Sequence, residues 1–85
     1  MKLQMFSVFD IKAQSFSKPM FLTHKGEAIR AFQDVVKDGK SMIALHPEDY
    51  KLYALGFLDD VSGEIVGLDK PEFMNNASDF ISLKI

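Results

Sequence analysis

The residues best suited to chemistry are His24 and His46, the only two histidines in the chain, since imidazole can move protons or ligate a metal near neutral pH. Grouped with Asp49 they offer a mixed nitrogen and oxygen donor set. Yet they lie in different elements, and their spacing matches neither a helical His-x-x-x-His pair nor a zinc motif. A surface His24 in a first helical turn and a turn-closing His46 explain them more simply. Glu48, Asp49, Asp59, Asp60 and Glu64 form an acidic group that would suit acid–base work or calcium. The regular EF-hand pattern is missing, and turns whose Asp side chains accept backbone amides account for these residues. No serine stands in a Gly-x-Ser-x-Gly elbow, cysteine is absent, and the five glycines are scattered. The sequence therefore predicts no catalytic residue, no metal site and no cofactor, and the chain is not expected to be an enzyme.

A second pattern points to binding. Lys12, Phe16, Lys18, Phe21, His24, Lys25 and Arg30 alternate cations with aromatics. Single-stranded nucleic acid is held by such mixtures, because cations follow the phosphates and aromatic faces stack on bases. Lys12, Lys18, Lys25 and Arg30 are the expected phosphate contacts, and Phe16 and Phe21 the expected stacking residues. The plainer reading puts the phenylalanines in the core and the lysines in solvent; the exposure of Phe16 and Phe21 separates the two. Farther on, Tyr50, Tyr53, Leu55 and Phe57 lie on a strand with two apolar faces. They are either sheet core beneath a helix or the interface of a homodimer.

These residues sit on a chain of 85 residues with a net charge of −2. That length predicts a single domain over residues 1–85 with a thin core. The absence of cysteine fits a reducing compartment. No apolar run reaches the roughly 20 residues of a membrane span, and the first residues lack the pattern of a signal peptide. Residues 1–40 carry seven Lys/Arg against four acids, and residues 41–85 carry three Lys against eight acids. The asymmetry suits either an anionic partner for the first half or two copies of the chain set head to tail.

The elements that must position these groups can be read from periodicity. Residues 3–9 form a strand with Leu3, Met5 and Phe9 on one face and Phe6 and Val8 on the other, which predicts a central position. Residues 16–22 are extended, with Pro19 favouring an irregular edge. Thr23 is the expected N-cap of a helix whose apolar face holds Ala28, Ile29, Phe32, Val35 and Val36, ending at Asp38-Gly39. Residues 41–45 form a short connector and His46 to Asp49 a turn. Tyr50 to Leu58 is the clearest strand, with Tyr53, Leu55 and Phe57 on one face and Leu52, Ala54, Gly56 and Leu58 on the other, and Gly56 marks a bulge or a close backbone approach within it. A hairpin loop at Asp59 to Gly63 leads into a strand over residues 64–68, which Lys70-Pro71 breaks. Ser78 is placed to cap a last turn over Phe80, Ile81 and Leu83. The predicted fold class is α+β: a small antiparallel sheet of three to four strands with one main helix packed on it.

Three motifs carry a resemblance. They are Met5-Phe6-Ser7-Val8-Phe9-Asp10-Ile11-Lys12-Ala13, Lys25-Gly26-Glu27-Ala28-Ile29-Arg30-Ala31-Phe32, and His46-Pro47-Glu48-Asp49-Tyr50-Lys51-Leu52-Tyr53 followed by Leu55 to Gly63. In this order and spacing the chain resembles the small nonstructural protein of gokushovirus-like microviruses, bacteriophages of the Microviridae with single-stranded DNA. The resemblance implies a viral protein in the host bacterial cytoplasm that is not built into the capsid. It also implies a role in viral DNA replication, at the switch to single-stranded genome synthesis. The expected function is that of an accessory protein with weak single-stranded DNA binding. The alternative is a homodimeric interaction module that binds a phage replication protein or a host protein without touching DNA. No membrane partner is expected.

Overall fold

A computed structural model describes residues 1–81. The strands are β1 (Lys2–Asp10), β2 (Ser15–Phe16), β3 (Met20–Leu22), β4 (Tyr50–Asp59) and β5 (Ile65–Asn76). The helices are α1 (Lys25–Lys37) and the short α2 (Met42–Leu45). Single 3-10 turns cover Pro47–Asp49 and Ala77–Phe80. All five strands join one antiparallel sheet in which β1 and β4 are central and β5 forms one edge. β2 and β3 share the other edge, each pairing with a different part of β1.

The expected sheet of three to four strands with one main helix is corrected here. The sheet has five strands and dominates the fold, at 44% strand against 30% helical. Two local causes explain the difference. Pro19 lacks the N–H a ladder needs, so the 15–22 segment splits into β2 and β3. There the hydroxyl of Ser7 donates to the Ser17 carbonyl at 2.7 Å, and Ser17 N–H donates to the Val8 carbonyl at 2.9 Å. At the other edge, Pro71 does not end the strand as expected. Gly56 pairs with Gly67 and Ala54 with Glu72, so the residues between Gly67 and Glu72 bulge out opposite Leu55 and Pro71 is free of the ladder.

α1 packs on one face of the sheet. Its Ala28, Phe32 and Val36 recur every four residues and meet Phe6, Val8, Leu52 and Ala54 in the core. Phe80 and Ala77 close the end of that core, with the Phe80 and Phe32 rings edge to face at 6.0 Å. Leu83, expected in this last turn, lies outside the described residues. The helix N-cap is His24, not Thr23. Thr23 instead donates its hydroxyl and its backbone N–H to the Glu27 carboxylate, which also accepts His24 N–H at 3.1 Å. Lys25 ties the helix to β5 through an exposed ion pair with Glu72 at 2.9 Å.

β4 changes phase in mid-strand. Phe6 pairs with Ala54 and Met5 with Gly56, leaving Leu55 as an extra residue. Beyond the bulge Phe57 pairs with Gln4 and Val66. It therefore lies on the same side of the sheet as Phe6 and the helix, whereas simple alternation placed it with Tyr53. Gly56 is required at this point. A methyl group there would collide with the Val66 carbonyl oxygen and stand 2.9 Å from Gly67 Cα.

Two predictions follow from this packing. Gly56→Ala should lower stability by about 3 kcal/mol, the upper end of overpacking costs. Gly26→Ala, in a helical site with nothing within 4 Å of the added carbon, should be neutral or stabilise by about 0.4–1 kcal/mol; paired denaturant melts measure both. The second concerns acid. Backbone N–H bonds from Val61 and Ser62 hold the Asp59 carboxyl below its ordinary value, and bonds from Ser41 and Lys40 do the same for Asp38. A depressed carboxylate stabilises the fold above its unfolded pKa, and that contribution disappears as pH falls through the folded value. The melting temperature should drop through the acidic range, and Asp59→Ala should remove part of that drop.

Candidate nucleic-acid interface

The face of the sheet opposite α1 is bare, and it is aromatic. β1 turns Met5 and Phe9 to this side because Phe6 and Val8 are taken by the core. Strand pairing then fixes the neighbours: Phe16 beside Phe9, Phe21 beside Met5, and Tyr53 beside Ser7 and Phe73. Phe16 is 40% exposed, Phe21 37% and Phe73 49%. The rings touch in a row that crosses the strands. Phe16 lies 4.9 Å from Phe9 and 5.5 Å from Tyr53, and Tyr53 lies 5.8 Å from Phe73, centroid to centroid. Ser7, between Phe9 and Met5, is small enough for Phe16 and Tyr53 to meet above β1. The chain has eight phenylalanines and two tyrosines, and half of these aromatics sit on this face.

Lys51 is a cation of this face. It pairs with Phe9 and Asn76 in the sheet. Its ammonium donates to Asn76 Oδ1 at 2.7 Å and stands 5.6 Å from the centre of the Phe73 ring, within cation–π range.

The structure divides the residues expected to act together. Phe16 and Phe21 lie exposed on the open face. The four expected phosphate contacts lie on the helix side. Lys12 borders a cleft with Asp10, Met42, His46 and Tyr50. Lys18 borders an apolar pocket with Met20, Phe32 and Val35 beneath α1. Lys25 and Arg30 are on α1 itself, Lys25 paired with Glu72. The expected interface residues divide as well. Tyr53 is on the open face, Tyr50 packs against the helix-side core, Leu55 is the bulge residue, and Phe57 is on the helix side beyond the helix.

Sequence reading missed Phe9, Phe73 and Lys51 as parts of one surface. Period-two alternation marked Phe9 and Lys51 as strand residues, but nothing local says that they are neighbours. Phe73 was hidden by the expectation that Pro71 ends the strand.

The histidines do not converge. His24 caps α1, while His46 joins Glu48 and Asp49, whose ligand atoms lie within 4.8 Å of one another. Among the described residues these three could hold a cation. His46 and Glu48 are exposed and Asp49 half-buried, an ordinary arrangement for a polar turn. In the adjoining cleft burial pushes the Tyr50 phenol up, with the charges of Asp10 and Asp49 adding to it. Among the described residues no helix is long and apolar enough to cross a membrane.

Known proteins agree with the resemblance that the three motifs carry. The family described as phage ORF5 protein matches residues 3–80. Protein ORF5 of Chlamydia phage 1, a gokushovirus of the Microviridae, is 35% identical over 68 residues, covering 75% of this chain and 71% of that protein. No solved structure matches significantly. The match runs from β1 through the last 3-10 turn and so includes every strand of the bare face; the chain belongs to the phage ORF5 protein family.

Proposed function

We propose that this phage protein is a non-enzymatic accessory factor that binds viral single-stranded DNA weakly on the open face of its sheet. In this reading it works in the host bacterial cytoplasm during DNA replication, at the switch to single-stranded genome synthesis. One observation carries the DNA-binding part: a continuous row of partly exposed aromatic rings crosses four strands with a lysine at one end. A sheet face bearing aromatics on neighbouring strands is a recurrent platform for unpaired bases, because every base has a face to stack. The family membership supports the phage setting.

A second reading uses the same face differently. It is poor in charge, and a large apolar face on a small protein commonly meets another protein. Two copies could close on each other as a sandwich, with the sheets about 10 Å apart. The homodimer, or a heterologous complex with a phage replication protein or a host protein, would then be the working form.

The two readings give different outcomes in one pair of measurements. Fluorescence anisotropy with a labelled single-stranded oligonucleotide at about 50 mM salt, where electrostatic help is strongest, should show saturable binding by tens of micromolar protein. Light scattering at the same concentration should show a monomer with the face free. A stable dimer that binds no DNA, and that Tyr53→Asp converts to a folded monomer, would establish the second reading and overturn the first.

A further inference from the structure

Resting on the single-stranded DNA reading above, we infer that bases, not phosphates, supply the binding, and that the strand crosses the sheet from Phe16 over Tyr53 to Phe73. The direction follows from the rings. Phe16, Tyr53 and Phe73 belong to β2, β4 and β5, so the row runs across the β-strands and not along them. Adjacent rings are steeply inclined, 80° between Phe16 and Tyr53 and 71° between Tyr53 and Phe73. Each ring therefore presents its face in a different direction from the next. Such a row receives separate, splayed bases rather than a continuous stack, about two or three of them by comparison with other sheet platforms.

The charges decide the rest. Lys12, Lys18, Lys25 and Arg30 lie on the side of the sheet that carries α1. Lys25 and Arg30 ride on the helix, away from a strand lying on the rings, and Lys12 and Lys18 border helix-side pockets and not the ring row. Lys51 can meet the backbone of that strand. Its ammonium is held in place by Asn76 beside the Phe73 ring, so it is set to contact one phosphate flanking the base on Phe73. Duplex DNA has no unpaired base faces to offer and is not a ligand of this surface. Because stacking tolerates any base, the site discriminates strandedness, not sequence.

The salt dependence distinguishes this arrangement from the one in which the basic residues of the first half bind the backbone. Each phosphate neutralised on a single strand contributes about −0.7 to the slope of log K against log salt. Lys51 alone gives a slope of about −0.7, while the four helix-side cations together would give about −3. The experiment measures anisotropy of labelled oligothymidylate, an abasic strand of equal length, and a duplex, over a salt series. Variants are Tyr53→Ala, Phe73→Ala, Lys51→Ala and the helix-side combination Lys12→Ala, Lys18→Ala, Lys25→Ala and Arg30→Ala, each shown to be folded by its thermal melt. The expected result is a shallow slope and little binding of the abasic strand or the duplex. Removal of either ring should weaken binding about 5- to 150-fold. The helix-side combination should bind as the unaltered protein does.

Equal binding of the abasic strand, a slope near −3 and loss of binding in the helix-side combination would overturn this inference while leaving single-stranded DNA as the ligand. Failure of the folded monomer to bind any oligonucleotide would overturn the inference and the DNA reading together. Should Tyr53→Ala or Phe73→Ala not fold, Lys51→Ala and the abasic strand decide the question alone.

Discussion

One helix can cover only one face of a sheet, and that constraint shapes this molecule. α1 has 13 residues, a length of about 20 Å. β4 and β5 have 10 and 12 residues, and strands of that length extend for about 30–40 Å. The helix therefore buries Phe6, Val8, Leu52 and Ala54 and leaves both the opposite face and the far end of its own side uncovered. The molecule is accordingly elongated, 49 Å by 24 Å by 20 Å. What the helix cannot reach becomes the surface available for recognition.

The bulge at Leu55 distributes side chains within that frame. Without it, β4 would put Tyr53 and Phe57 on one face in simple alternation. The extra residue moves Phe57 to the other face, where it joins Val66, and keeps Tyr53 with Phe16 and Phe73. Gly56 makes the bulge feasible, since the backbones of β4 and β5 come too close there for any side chain. A local backbone irregularity thus confines the aromatic row to the part of the open face opposite the core, which is also the best supported part of the sheet.

Much of this was legible in the chain. The alternation in β1 showed two apolar faces and a central position, and the spacing of Ala28, Phe32 and Val36 showed which side of α1 is buried. The glycines placed at the helix end and in the hairpin do adopt positive φ, +72° at Gly39 and +79° at Gly63. Gly56 marked a bulge or a close backbone approach in β4, and both are found there; that Leu55 is the extra residue was not legible, because one extra residue in an apolar run leaves no trace in its periodicity. Pro71 misled because it usually interrupts a ladder, and a bulge relieves it of that role. The grouping of Lys12, Phe16, Lys18, Phe21, Lys25 and Arg30 was sound as a line of residues but not as a surface. Between Leu22 and Lys25 the chain passes from the sheet to the helix layer and carries Lys25 and Arg30 with it, while Lys12 and Lys18, earlier in the chain, border pockets on the helix side.

The two irregular edges have a further consequence. A bare aromatic face beside long, flat, unpaired strand edges would invite other chains to add themselves as extra strands, the route to fibrils. Here one edge is cut in two at Ser17-Lys18-Pro19 and the other is thrown out of line between Gly67 and Glu72. Neither presents an uninterrupted row of donors and acceptors for a newcomer. The prolines that obscure the strands in the sequence thereby guard the folded protein against templated aggregation, and its apolar surface can stay open in solution.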